Sequence, residues 1–182
     1  MNLATKLTLS RILLIPIMLV FYFVNFPYHY LVTAVIFVLA SCTDFLDGYV
    51  ARKRDEVTTL GKFLDPIADK LLVVVVLFMM IGGNFLFMPK IVTIIFACLI
   101  MGRELIINAF RLIAVGGGII IPADKWGKLK TVCLNIAMPL MLCNLHKIIS
   151  VIGWILYALG TILTILSGIN YIVKNKEVLK LK

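Results

Sequence analysis

The sequence predicts an all-α fold: a polytopic integral membrane protein of six transmembrane helices with a short N-terminal amphipathic lead-in. Three observations carry that expectation. Of 182 residues, 62% are hydrophobic, and the mean hydropathy is +1.08, more apolar surface than a soluble core of this size can hide. The apolar residues gather into long runs bounded by Gly, Pro or charged side chains. The 18 Lys and Arg outnumber the 9 Asp and Glu, for a net charge of +9, and they lie between the runs. That placement argues against nucleic acid as a partner. It fits positive-inside topology and attraction to anionic lipids or substrates.

In chain order, Asn2 to Ser10 reads as the lead-in on the membrane surface and Ile12–Val24 as the first span. Lys6 and Arg11 ahead of an apolar run superficially resemble a secretory signal. Asn25-Phe26-Pro27 stands where a small-x-small cleavage site would be, so the span is expected to be retained. The second span covers about Tyr28–Arg52 and the third about Thr59–Ile81. Gly82-Gly83-Asn84 and Pro89 mark the turn into the fourth, about Lys90–Val115. Gly116-Gly117-Gly118 opens a loop through Pro122. The fifth span runs about Lys125–Leu145 and the sixth about Ile148–Val173, before a Lys-rich tail. These lengths suit a bilayer with some tilt. With no soluble domain or low-complexity linker, residues 1–182 are expected to form a single transmembrane domain.

Charge counting sets the orientation. With the N-terminus inside, only Lys90 and Lys147 face outward, leaving 16 of the 18 basic residues and all nine acids on the inner side. Both termini are therefore expected in the cytoplasm of a multi-pass protein of the cell membrane. Cys42, Cys98, Cys133 and Cys143 lie in apolar segments without a CxxC pair and read as small buried hydrophobes. His29 and His146 stand alone at helix ends on the opposite side and read as interfacial.

One stretch does not fit an inert membrane bundle. Asp44-Phe-Leu-Asp47-Gly48-Tyr-Val-Ala51-Arg52 ends the second span, and Gly61-Lys-Phe-Leu-Asp65-Pro-Ile-Ala-Asp69 begins the third. At about 100° per residue, Asp44, Asp47, Gly48 and Ala51 share one helix face, and Gly61, Asp65 and Asp69 share another. A short connection containing Lys53, Arg54, Asp55 and Glu56 makes the two helices antiparallel neighbours, so the acidic faces can meet. Four converging carboxylates at a bilayer edge need cations to stay ionised. An all-oxygen donor set favours Mg²⁺ or Mn²⁺, and two ions suit four carboxylates better than one. A paired-metal site open to lipid suggests phosphoryl transfer on an anionic lipid. Gly48 and Ala51 leave room for a flat ligand against the helix backbone.

The pattern Asp-x2-Asp-Gly-x2-Ala-Arg-x8-Gly-x3-Asp-x3-Asp, complete in this chain, resembles the signature of the CDP-alcohol phosphatidyltransferases. The resemblance implies CDP-diacylglycerol as a substrate, with its cytidine diphosphate lying against Gly48, Ala51, Arg52 and Gly61. It implies Asp44, Asp47 and Asp65 as metal ligands, and Asp69 as general base that shares a metal. Arg52 either contacts a phosphate or holds a carboxylate in place. The family further implies a homodimer.

A second polar constellation indicates the acceptor. Gly102-Arg103-Glu104 and Arg111 interrupt the fourth span, and Ala123-Asp124 with Gly127-Lys128-Leu129-Lys130-Thr131 opens the fifth. Arg103 and Arg111 are about 80° apart on their helix, level with Lys128 and Lys130 across the Gly-rich loop. Cations in a membrane need partners. Glu104 can serve one of them, and the rest read as a basic pocket for a phosphate dianion. These segments, with Asn2-Leu3, Leu7-Thr8, Arg11 and Pro16, are similar to the branch of the family whose acceptor is glycerol 3-phosphate. Ala4 and Thr5 depart from that branch's Pro-Asn. Other readings are the same chemistry on inositol phosphate or phosphatidylglycerol, a divalent-cation transporter, and a non-catalytic lipid scaffold. A transporter would place acids near the midplane with a route to both faces, whereas here none lies in an outer half.

Overall fold

A computed structural model of the chain describes residues 3–54, 59–83, 85, 89–119, 121–122 and 125–180; the side chains of 3–7, 44–54, 59–63, 65 and 179–180 lie outside that description. All regular structure among the described residues is helical: α1 (Leu3–Phe23), α2 (His29–Arg54), α3 (Thr59–Gly82), α4 (Lys90–Gly116), α5 (Lys125–Leu142), α6 (Lys147–Lys174) and a 3₁₀ turn at Lys176–Lys180.

The helices end where the sequence places residues that leave helical φ/ψ cheaply. Pro89 takes an extended conformation as the N-cap of α4. Gly118, past its C-terminus, has φ 75°, a conformation open to glycine without steric cost. Tyr28 (φ 65°) and Asn144 (φ 46°) make the turns before α2 and after α5. At the latter, Cys143 N–H bonds the Pro139 carbonyl at 2.9 Å, so α5 stops three residues short of the expected span.

Two further expectations change. The lead-in and first span are one helix, because nothing between Leu3 and Ile15 breaks it and Pro16 is accommodated inside. Thr8 and Arg11 are both 0% exposed, so at these positions α1 packs one face against protein. The Lys-rich tail is also structured: Val178 is buried in an apolar cluster with Ile107, Phe110, Ala114 and Tyr171. The cysteines are free, but Cys42 and Cys98 are exposed and the other two only half-buried. An apolar thiol gains little from burial when the surroundings of the helix are themselves apolar. His29, at the start of α2, lies 3.1 Å from the Tyr22 carbonyl through Nδ1, and His146 is exposed just before α6.

The helices divide into two compact units, Met1–Phe87 with Met138–Val151, and Met88–Ala137 with Ile152–Lys182. In the first, α1 packs against α2 and α3, and α2 touches α3. Its core combines large residues (Ile15, Met18, Phe37, Leu72, Val76) with Ala40 and Ala68, whose small side chains let the backbones approach. Tyr22 Oη donates to the Met79 carbonyl at 2.8 Å and ties α1 to α3. Beside it a Cβ on Gly83 would stand 2.3 Å from the Phe85 ring and 2.9 Å from Tyr22 Oη, so a larger residue there would have to displace both rings.

The second unit keeps its hydroxyls inside. Thr93, Thr161, Thr164 and Ser167 are all buried. Thr161 Oγ1 donates to the Tyr157 carbonyl at 2.8 Å, Thr164 Oγ1 to Gly160 at 2.6 Å and Ser167 Oγ to Thr164 at 3.1 Å, so each hydroxyl proton is satisfied within α6. Large apolar side chains point outward in both units, among them Leu13 and Phe78 in the first and Ile91, Leu105, Leu112 and Ile162 in the second. Among the described residues, α4 and α6 are long and apolar enough to cross a membrane, and Thr8–Phe23 and His29–Thr43 are shorter apolar stretches.

This inside-outside contrast has a stability consequence. Phe37→Ala empties a site that is 0% exposed and should cost about 3–5 kcal/mol. Phe78→Ala, at a position 68% exposed, should leave unfolding nearly unchanged. Thermal unfolding of the two purified variants in detergent checks the difference.

Candidate active site

The acidic residues ride on the two helix ends that flank the 55–58 connection. Asp44 and Asp47 fall one turn apart in the last turns of α2, and Asp65 and Asp69 one turn apart in the first turns of α3. The backbone is helical at all four positions, so the i, i+3 and i, i+4 spacings place each pair on one helix face. The side chains of Asp44, Asp47, Gly48, Ala51, Arg52, Gly61 and Asp65 lie outside the described residues. The side chain of Asp69 is described and exposed, with a polar or electrostatic partner in the chain. Among the described residues, no group of three His, Cys, Asp or Glu comes together. As a donor set, four carboxylates on helical backbone match the oxygen preference of Mg²⁺ and Mn²⁺.

The cationic constellation can be followed atom by atom. Arg103, on α4, extends Nη1 to Glu104 Oε1 at 3.2 Å and Nη2 to Ser167 Oγ of α6 at 3.2 Å. Lys130, on α5, bonds the same Glu104 Oε1. One carboxylate thus holds two cations, and the side chains of Arg103 and Lys130 are only 14% and 8% exposed. Arg111 is exposed and attaches to α6 separately: Nε donates to Tyr171 Oη at 3.1 Å, with the guanidinium carbon 5.4 Å from the ring centroid. Lys128 is exposed on the surface of α5. Ala123 and Asp124 lie outside the described residues.

Of the four cations expected in one basic pocket, Arg103 and Lys130 meet through Glu104, Arg111 lies against Tyr171, and Lys128 faces outward. Glu104 serves both buried cations where one was expected. The contribution missing from sequence reasoning is α6. Ser167, Gly168 and Tyr171 supply the surface on which both arginines rest, and their signal was present as small and hydroxyl-bearing residues in an otherwise apolar run, Leu166-Ser167-Gly168-Ile169-Asn170-Tyr171.

Comparison with known proteins converges on one family. A family model described as CDP-alcohol phosphatidyltransferase matches residues 1–166. The chain is 37% identical to a Bacillus subtilis (strain 168) protein named CDP-diacylglycerol--glycerol-3-phosphate 3-phosphatidyltransferase, the similarity covering 98% of this chain and 97% of the relative. Proteins of the same name from Haemophilus influenzae and Rickettsia bellii are 35% and 34% identical, over 94% and 93% of this chain and 91% and 93% of theirs.

The shared carboxylate makes a prediction independent of activity. Glu104→Gln would leave Arg103 and Lys130 without their common anion. Glu104 is 26% exposed, so the loss should be about 1–3 kcal/mol, below that of a wholly buried pair. Thermal unfolding in detergent should show it, and adding Lys130→Met to the Glu104→Gln variant should recover part. An unchanged Tm would mean that water screens the cluster.

Proposed function

This chain belongs to the CDP-alcohol phosphatidyltransferase family, and from that membership we propose that it transfers the phosphatidyl group of CDP-diacylglycerol to the sn-1 hydroxyl of glycerol 3-phosphate. The products are CMP and phosphatidylglycerophosphate. The observation that carries the reading is the complete acidic signature, Asp44 to Asp69, on two helix ends of a chain similar along nearly its full length to relatives bearing that name.

The proposed chemistry assigns each residue a task. Asp69 takes the proton of the acceptor hydroxyl. The freed oxygen attacks the β-phosphorus of CDP-diacylglycerol, a new P–O bond forms, and the bond to the CMP oxygen breaks with its electron pair leaving on CMP. Asp44, Asp47 and Asp65, with Asp69 sharing, would hold Mg²⁺ or Mn²⁺, two ions in this reading, which supply neutralisation of the pyrophosphate and of charge on the leaving group. Gly48, Ala51, Arg52 and Gly61 receive the cytidine diphosphate. Arg103, Arg111, Lys128 and Lys130 recognise the phosphate of glycerol 3-phosphate, with Arg103 and Lys130 held in place by Glu104.

The exposed apolar side chains on α1 to α6 support a membrane setting, since water-soluble monomers rarely leave contiguous apolar surfaces of this kind. We take the six helices as six spans of a single domain in the cell membrane, with both termini and the acidic motif cytoplasmic, a topology that the distribution of Lys and Arg supports. A homodimer belongs to the same proposal on the family resemblance alone.

Two measurements test this reading. In CMP-release assays with CDP-diacylglycerol micelles, Asp44→Asn, Asp47→Asn or Asp65→Asn should nearly abolish turnover while the protein stays folded. EDTA should do the same, with Mg²⁺ or Mn²⁺ restoring activity; full turnover in excess EDTA would reject the metal assignment. Arg103→Ala or Arg111→Ala removes a charge-assisted contact of on the order of 1.5–3 kcal/mol. The KM for glycerol 3-phosphate should then rise roughly 10- to 150-fold while that for CDP-diacylglycerol barely moves. Arg111→Lys should also fail, because an ammonium cannot reproduce bidentate contact.

A further inference from the structure

Arg103 reaches its partners along a path that only a glycine at position 168 leaves open. A Cβ on Gly168 would stand 2.9 Å from Arg103 Cγ, 3.3 Å from Nε and 3.7 Å from Cδ. Contacts under about 3 Å force something to move, and Cγ is close to the root of the side chain. A methyl group at 168 therefore cannot be avoided by a small swing of the guanidinium. It must turn Arg103 about χ1 and carry the charged end away from Ser167 and Glu104.

The donors of Arg103 explain why its direction matters. Of its five N–H groups, Nε is buried and makes no hydrogen bond. One hydrogen on Nη1 goes to Glu104 and one on Nη2 to Ser167. That leaves one N–H on each terminal nitrogen for an outside oxygen. On the far side of the guanidinium, a Cβ on Gly127 would be 4.0 Å from Nη2, so α5 approaches the same group without crowding it. A cleft of about 290 Å³ lined by Gly102, Arg103, Ile106, Gly168 and Ile169, among others, opens beside the arginine. It gives a displaced side chain somewhere to go, so a methyl at 168 should misplace Arg103 without unfolding α6.

We infer that Gly168, together with Ser167, is a positioning residue: α6 fixes the direction in which Arg103 offers its two remaining N–H groups to the phosphate of the acceptor. This rests on the role given to Arg103 above. Neither residue touches the acceptor, and both act through Arg103.

The test uses the full-length protein in detergent, with CMP release measured while glycerol 3-phosphate and CDP-diacylglycerol are varied in turn. Gly168→Ala should raise the KM for glycerol 3-phosphate by roughly 5- to 20-fold, no more than Arg103→Ala, with kcat and the KM for CDP-diacylglycerol little changed. Ser167→Ala, which removes one hydrogen bond and adds no bulk, should raise the same KM by roughly 3- to 10-fold. In an Arg103→Ala background both effects should vanish, because nothing remains to be positioned. If Arg103→Ala raises that KM and Gly168→Ala does not, or if the two losses multiply in full, the positioning role is overturned while the role of Arg103 stands. If Arg103→Ala itself leaves the KM unmoved, both fail. Should Gly168→Ala not accumulate as folded protein, the Ser167 cycle decides by the same criterion.

Discussion

Glu104 sits between Arg103 of its own helix and Lys130 of α5, and Arg103 continues to Ser167 of α6. An unpaired cation at this depth would be expensive, since little water reaches side chains that are 14% and 8% exposed. Sharing one carboxylate leaves the trio with a single net positive charge, spread over α4 and α5. The constraint reaches beyond electrostatics. Lys130 meets Glu104 only if α5 presents that turn toward α4, and Arg103 meets Ser167 only if α6 comes close enough for the glycine at 168. The register of all three helices is tied to one carboxylate.

Close backbone approach is the other half of that arrangement. Hydrophobic surface does little to hold helices together where the surroundings are as apolar as the core, so contact depends on shape and on small residues. On α6 a Cβ at Gly160 would stand 2.7 Å from Leu134 Cδ2, and two turns later Gly168 admits Arg103. The threonines at 161 and 164 return their hydroxyls to their own helix, which satisfies those two donors and keeps that stretch compact. The polar composition of α6 thus serves packing and charge placement together.

Much of the fold was legible in the sequence because its signals are local. Apolar runs bounded by Pro89 or Gly116-Gly117-Gly118 give helices within a few residues of the observed limits. The acidic signature was legible for the same reason: register on a helix follows from spacing alone, and both helices carry it at the expected ends. What escaped was tertiary. Nothing local says that α1 runs unbroken into a buried Thr8 and Arg11, or that Val178 returns the tail to α4. The pairing of one acid with two cations was hidden because Glu104 and Lys130 lie 26 residues apart. The contributions of Ser167 and Tyr171 lie more than twice as far along the chain, at separations of 64 and 60.

Under the proposed function, the two arginines would serve different parts of acceptor capture. Eight residues of α4 rise about 12 Å, so Arg103 and Arg111 approach one phosphate from two levels of the helix. Arg103 is mostly buried and committed through two of its nitrogens, so little side-chain entropy remains to be lost when an anion arrives. Arg111 is exposed and held through Nε and the ring of Tyr171, and Lys128 is also exposed. Exposed charges of this kind raise the encounter rate of an anion and are weakened by salt. A locked guanidinium instead lengthens the stay of a ligand already bound. For a phosphomonoester acceptor, whose charge approaches minus two at neutral pH, the net positive charge of the Glu104 cluster and that of Arg111 are together the complement. In that reading, Glu104 leaves the site cationic enough for its ligand and neutral enough to stay folded without it.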